Sequence, residues 1–292
     1  MKYRENNGDG KQLLTTKSEA IAYSLARMPA TFGAVMDVLK YTLELVDFQP
    51  KTLIDAGAGT GAVAWACNEQ LNLESYICLE KENAMLETGK SLMLGNPGLD
   101  NKTEWRKFDL IVNDLPDRAD IVVASYVLSE LHEDDRIKVI EKLWHSTEKV
   151  LVIIGPGTPR SFDNLLILRN HMIKTGAKLV GPCPGQYPCP VSQIENDWCH
   201  FSCRVNRSKI HKQLKGGEAP FEDEKYMYFA FAREELCTRR ISSRILRHPL
   251  IQSGYIKLNL CTKDGVMNKT VTKKDKEEYK VARKSKTGDS FD

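Results

Sequence analysis

Two stretches of this chain carry residue types whose spacing can do chemistry. Residues 181–205, GPCPGQYPCPVSQIENDWCHFSCRV, hold Cys183, Cys189, Cys199 and Cys203, with prolines beside the first two. Soft thiolates gathered among turn-forming Pro and Gly build a metal or cluster site, pack as buried free thiols, or close a disulfide knot. The gaps of five and nine residues are looser than the paired C-x-x-C signature of zinc and point to a cluster, with zinc as the alternative. The second stretch is Asp55-Ala56-Gly57-Ala58-Gly59-Thr60-Gly61. Glycines between a strand and a helix let backbone approach a ligand at the helix N-terminus, and Glu80, closing the next strand, is placed to accept hydrogen bonds from ribose hydroxyls. That pattern points to an adenosine-bearing cofactor.

Strand and helix signals must position both stretches. Residues 17–46 show a helical apolar repeat interrupted at Arg27-Met28-Pro29, so two N-terminal helices hinged there are expected. Thr52-Leu53-Ile54-Asp55 reads as a strand, and residues 62–70 as the helix after the glycine loop. The unit then repeats, with strands near 76–80, 121–125 and 150–154 and helices near 82–94, 134–144 and 162–175. This alternation predicts an α/β fold with a doubly wound, mainly parallel sheet covered on both faces. After Gly176 the pattern gives way to the Pro-rich cysteine segment, a short helix near 209–214, a strand at 226–232, and a hairpin around Lys263-Asp264-Gly265. The expected organisation is an N-terminal helical segment (1–50), a cofactor domain (51–272) with a cysteine-rich insert (181–215), and a charged, frayed tail (273–292).

Composition bounds the function. The chain has 292 residues, 41% hydrophobic and 28% charged, an ordinary globular composition. The longest apolar run, residues 121–131, is broken by Ser125, Ser129 and Glu130, so no membrane partner is expected. The polar start with Glu5 and Asp9 resembles neither a signal peptide nor an organelle presequence, so a cytoplasmic location is expected, or a mitochondrial one if a presequence is missing from this chain. A net charge of +3 is too small to prove nucleic-acid binding. Basic residues nevertheless gather at Arg204, Arg207, Lys209, Lys212 and Lys215, then at Arg239, Arg240, Arg244 and Arg247.

Residues 53–61, Leu-Ile-Asp-Ala-Gly-Ala-Gly-Thr-Gly, resemble the first motif of the class I S-adenosylmethionine-dependent methyltransferases, a seven-stranded doubly wound fold. Arg27-Met28-Pro29-Ala30-Thr31, residues 124–131, Gly155-Pro156-Gly157-Thr158-Pro159, the two Pro-Cys-Pro steps and Asp197-Trp198-Cys199-His200-Phe201 together resemble the methyltransferase-like assembly factors of the small ribosomal subunit, found in mitochondria and bacteria. The resemblance implies S-adenosylmethionine held by Asp55, Gly57, Gly59, Gly61 and Glu80, an adenine contact at Asp109, and Ser125 and Tyr126 beside the methionine end. It implies an iron-sulfur (4Fe-4S) cluster on Cys183, Cys189, Cys199 and Cys261, the last from the hairpin, although Cys203 is the rival fourth ligand on spacing. It also implies the small ribosomal subunit and its rRNA as partners, with a stiffened insert presenting Arg204, Arg207, Lys209 and Lys212 to phosphates. Cys67 and Cys78 read as buried hydrophobes, Cys237 has no assignment, and His200 reads as a packed or surface side chain in preference to one that donates a hydrogen bond to a ligand cysteine.

No catalytic residue is assignable. The Asn-Pro-Pro-Tyr stretch of amino-methylating enzymes is replaced by Ala124-Ser125-Tyr126-Val127, and Gly155 stands where the resembled family often has an acid. An RNA methyltransferase and a non-catalytic assembly factor are both compatible with the sequence.

Overall fold

A computed structural model describes residues 16–115 and 117–292, with the backbone but not the side chain of Lys215. Residues 1–15 of the expected N-terminal segment, and the Lys215 side chain of the basic run, lie outside the described residues. Helix α1 (Lys17–Ala26) starts at a reciprocal cap: the Thr16 hydroxyl accepts the Glu19 N–H at 3.3 Å, and the Glu19 carboxylate accepts the Thr16 N–H at 3.0 Å. Arg27 ends α1 and precedes α2 (Met28–Leu43), whose early Pro29 suits a first helical turn, as the expected hinge requires. The Ala30, Ala34, Val35, Val38 and Leu39 stripe of α2 is fully buried against the sheet and against α3 (Ala62–Gln70).

Strands β1 (Thr52–Ala56), β2 (Ser75–Glu80), β3 (Thr103–Lys107), β4 (Ala119–Ser125) and β5 (Thr147–Pro156) run parallel. Between them lie α3, α4 (Asn83–Met93) and α5 (Glu133–His145), and α6 (Pro159–Lys174) follows β5. Then come β6 (Lys178–Gly181), β7 (Phe201–Asn206), α7 (Lys209–Lys215) and β8 (Phe221–Ala232). The sheet order is β3-β2-β1-β4-β5-β8-β6, with β8 antiparallel to β5 and β6. This is the expected α/β sheet. It gains an eighth strand because β8 is long: residues 230–232 pair with β6, and Phe221–Tyr226 pair with β7. The cysteine segment therefore leaves the end of β6 and returns to the same strand as β7.

The expected hairpin, β11 (Tyr255–Thr262) and β12 (Gly265–Thr272), lies in a second, four-stranded sheet with β9 (Ser243–Ile245) and β10 (Leu250–Gln252). One expectation is corrected: residues 273–292 are not a frayed tail. Helix α8 (Lys276–Lys284) packs on β11 and β12, and Ala282 and Phe291 are buried with Ile245, Ile256, Leu258, Leu260 and Val271. The segment is charged on its outer face only, and its few apolar side chains complete a core that the small sheet cannot close alone.

Candidate cofactor cleft and four-cysteine pocket

Strand β1 delivers the glycine loop to the carboxyl edge of the sheet. The N–H groups of Gly57 and Ala58 both donate to the Leu79 carbonyl at 2.9 Å, which ties the loop to the end of β2. Gly57 has φ +74°, and a Cβ there would lie 2.5 Å from the Val127 side chain, so the position needs glycine for both conformation and room. Gly61 caps α3. Glu80 shapes the loop: one carboxylate oxygen accepts the Gly59 N–H at 2.7 Å and the other the Glu82 N–H at 2.8 Å.

Behind the loop, Asp55 is fully buried, and neither of its oxygens has a hydrogen-bond partner of normal geometry. Burial, then the neighbouring Glu80 charge, pushes its carboxyl well above the ordinary range. Burial also pushes Glu80 up to about 7, against the two backbone N–H groups that favour its charged form. Two buried acids side by side thus underlie the loop.

The cleft above is lined by Gly57, Ala58, Gly59 and Thr60, by Ser125 and Tyr126 at the end of β4, by Ala62 and Val63 of α3, and by Tyr23, Met28 and Thr31 from the N-terminal helices. Gly57, Gly59, Ser125 and Tyr126 are therefore brought together as expected. Asp55, Gly61 and Glu80 support the loop and do not face the cleft. Asp109 is not among the lining residues: its carboxylate meets Lys81 Nζ at 2.9 Å and accepts the Ile111 N–H at 3.0 Å. The α1–α2 contribution was missed by motif reading, because an apolar helix face looks the same whether it covers a core or a cleft.

Tyr126 adopts φ +66°, rare for a non-glycine residue, and its hydroxyl donates to Glu224 at 3.1 Å. Arg27 grips the same carboxylate with two bonds of 3.0 and 2.9 Å. Gly155 packs tightly: a Cβ there would come within 2.8 Å of the Ser161 hydroxyl and 2.9 Å of Leu165, which leaves no room for an acid.

The second site is a pocket lined by Cys183, Cys189, Cys199 and Cys261, with Phe162, Val191, Phe201, Phe229 and Leu246 among its walls. Three thiols come from the loop between β6 and β7. The fourth comes from β11, so the pocket joins the two sheets. Burial raises the Cys183, Cys199 and Cys261 thiols, Cys261 to about 12, and each thiol's charge would raise its neighbours further. Among the described residues no three His, Cys, Asp or Glu side chains are close enough to share one metal ion. The four thiols are soft donors that line one apolar space.

Cys203 does not line that pocket. It lies under α2, where a Cβ on Gly33 would approach its sulfur to 3.1 Å, and burial pushes its thiol up to about 12. Cys67 and Cys78 are buried in the core and Cys237 is exposed. His200 stacks on Trp198 with ring centroids 5.0 Å apart, and Trp198 Nε1–H donates to the Gly157 carbonyl at 3.0 Å. The insert is thereby pinned to the loop after β5. Much of the expected basic edge is paired: Arg204 is bound to Asp223 at 2.9 Å and lies over the Phe221 ring, Arg207 meets Glu222 at 2.7 Å, and Arg247 is bound to Asp197. Lys209 and Lys212 have no acidic partner among the described residues.

The chain is similar in sequence to named proteins along nearly its whole length. A human protein, "Ribosome assembly protein METTL17, mitochondrial", is 29% identical over 96% of the chain and 64% of its own length. The "Rsm22-cox11 tandem protein 2, mitochondrial" of Schizosaccharomyces pombe is 23% identical over 94% of the chain and 43% of its own length. The chain thus spans less than two thirds of these curated relatives. Among solved structures, the magnesium protoporphyrin IX methyltransferase of Synechocystis PCC 6803 with bound SAM aligns at 12% identity and TM-score 0.45, covering 80% of this chain and 89% of that one. The family profile described as "Mitochondrial small ribosomal subunit Rsm22" matches residues 17–292, and the chain belongs to that family.

Proposed function

We propose that this protein is an assembly factor of the small ribosomal subunit that binds S-adenosylmethionine in the glycine-loop cleft and carries an iron-sulfur cluster on Cys183, Cys189, Cys199 and Cys261. The observation that carries the reading is the meeting of thiols from two distant segments in one pocket, beside a separate cleft built on a dinucleotide-type loop. The ribosomal role is inferred from the relatives, whose names place them in ribosome assembly or in the small subunit. Both relatives are mitochondrial by name, which favours a mitochondrial location over the cytoplasmic one expected from the N-terminus.

S-adenosylmethionine, when bound, supplies an activated methyl group. The chain's own residues do the holding. The loop residues Gly57, Ala58, Gly59 and Thr60 and the first turn of α3 line the cleft, and Ser125 and Tyr126 flank it at the end of β4. In this reading the cleft is a binding platform. At the end of β4, where an acceptor would have to approach, Tyr126 is locked to Glu224 and Arg27, and the packed Gly155 offers neither an acid nor space for one.

The cluster serves as a staple. It ties the insert to the small sheet, and the ordered β7–α7 edge presents Lys209 and Lys212 to rRNA phosphates. Arg207 contributes structure there instead of charge, since Glu222 holds it.

The test has three arms. Anaerobically purified protein is expected to be brown and to contain about four irons and four sulfides per chain; a colourless, iron-free protein ends the cluster reading. Calorimetry with S-adenosylmethionine tests the cleft. Labelled S-adenosylmethionine incubated with the protein and immature small subunits is expected to leave the rRNA unlabelled, and label on RNA would convert the platform into a methyltransferase.

A further inference from the structure

Two of the most deeply buried cations in the molecule flank the four-cysteine pocket without a carboxylate. Arg169, on α6, is 1% exposed, and Arg244, on β9, is 2% exposed. Every acceptor they meet is neutral. Arg169 donates to the Asn170 side chain at 2.9 Å and to the Gly185 and Tyr187 carbonyls at 3.3 and 2.7 Å. Arg244 donates to the Pro182 and Gly288 carbonyls at 2.8 and 2.6 Å. Neither forms an ion pair among the described residues, and Arg169 Nε and Arg244 Nη2 have no hydrogen-bond acceptor. A buried guanidinium group without a counter-charge is among the costlier things a fold can contain.

Both guanidinium groups sit against the thiols. Arg244 lies directly opposite Cys261 across the β9–β11 ladder and lines the pocket itself. Arg169 lies against Cys183, from the helix that packs under the insert loop. Two further donors lack partners in the same neighbourhood: the buried hydroxyls of Tyr187, beside Cys183 and Cys261, and of Tyr228, beside Cys183 and Cys199. Arg244 thus reaches the pocket wall, and the unpartnered donors of Arg169, Tyr187 and Tyr228 lie around the thiols that line it.

We infer that Arg169 and Arg244 are built-in counter-charges for a doubly anionic, thiolate-bound centre in this pocket, and that they set its affinity and reduction potential; this rests on the cluster proposed above. Four thiolates around an oxidised cubane give a dianion, and uptake of one electron from an electrode gives a trianion. Two fixed positive charges match the dianion and favour the trianion further, since hydrogen bonds and charges around the sulfurs are the protein's means of tuning such a centre.

The experiment measures the potential of the reconstituted protein by anaerobic spectroelectrochemistry, for wild type, Arg169→Gln, Arg244→Gln and the charge-keeping Arg169→Lys and Arg244→Lys. Each Gln variant is expected to shift the one-electron equilibrium at least tenfold toward the oxidised form, a fall of about 59 mV, and to lose iron faster to a chelator. The Lys variants should restore most of both. Arg169 also holds the insert loop, so a Gln variant that fails to fold is replaced by a measurement on wild type. Pulsed electron paramagnetic resonance of the reduced protein labelled with nitrogen-15 arginine should show hyperfine coupling to guanidinium nitrogen. An intact cluster with unchanged potentials in the Gln variants, or without arginine coupling, overturns the inference and leaves the cluster reading standing. Wild-type protein that takes up no iron overturns both.

Discussion

Arg27 and Glu224, 197 residues apart in the chain, form a two-bonded ion pair of 3.0 and 2.9 Å that clamps the α1–α2 hinge to the long strand β8. Tyr126 donates to the same carboxylate, so the N-terminal helices, the end of β4 and the insert-bearing strand share one junction at the mouth of the cleft. Both partners are mostly buried, and the pair has the fork geometry that makes Arg–carboxylate contacts strong.

We expect Glu224→Ala to destabilise the protein by about 3 kcal/mol, the loss typical of breaking a buried charged pair, and to weaken S-adenosylmethionine binding by releasing Tyr126. Arg27→Lys should recover little, because a point charge cannot replace the fork. Urea denaturation and calorimetry read the two effects. Unchanged stability in the Ala variant would show that the junction is not a clamp.

Glu80 gives the loop a pH signature. Its carboxyl is raised to about 7 in the folded protein from an ordinary value near 4.5, so the folded state binds the proton more tightly than the unfolded chain. Stability should therefore be highest at the acidic end of this window, fall as pH rises from about 4.5 to about 7, and level off above. The full effect is on the order of 3 kcal/mol, and Asp55 adds in the same direction. Glu80→Gln should flatten this fall in denaturation curves taken across the window.

The glycines of the loop should not respond alike. Gly57→Ala meets both a left-handed backbone and the Val127 side chain at 2.5 Å, whereas Gly59→Ala meets the backbone penalty with only the Met85 tip at 3.6 Å. We expect roughly 1–2 kcal/mol of strain at Gly59 and clearly more at Gly57, with cofactor binding lost at Gly57 first. Equal losses would show that conformation alone governs the loop.

Replacing Cys183 or Cys261 by Ala should abolish iron content and loosen the insert to proteolysis, since metal binding and ordering are linked. Cys203→Ala should keep the iron, because that thiol lies under α2 outside the pocket. Iron loss in the Cys203 variant would return it as the fourth ligand.

Phe291 tests the C-terminal segment. It is buried in the core of the small sheet, and Phe291→Ala should cost roughly 3–5 kcal/mol. Because the sheet carries Cys261, the variant should also bind iron less firmly. A stability loss under 1 kcal/mol would mean that α8 merely lies on the surface.

The sequence by itself determined the strand-loop-helix unit around the glycines, since β1, residues 55–61 and α3 are written in contiguous letters with periods of two and 3.6. It marked the hinge at Arg27-Met28-Pro29 for the same local reason. It did not reveal β3, whose Thr-Glu-Trp-Arg-Lys is half exposed at the sheet edge, or β7 inside the insert, or α8, whose burial depends on tertiary partners such as Ile245 and Ile256. Spacing left Cys203 and Cys261 in competition, and only the tertiary structure separated their places: alternation along β7 turns Cys203 toward α2, while the β9–β11 pairing carries Cys261 to the mouth of the insert. The same folding joined Arg204 to Asp223, its direct neighbour across the β7–β8 ladder, and Arg207, just past β7, to Glu222, relations that no count of basic residues contains.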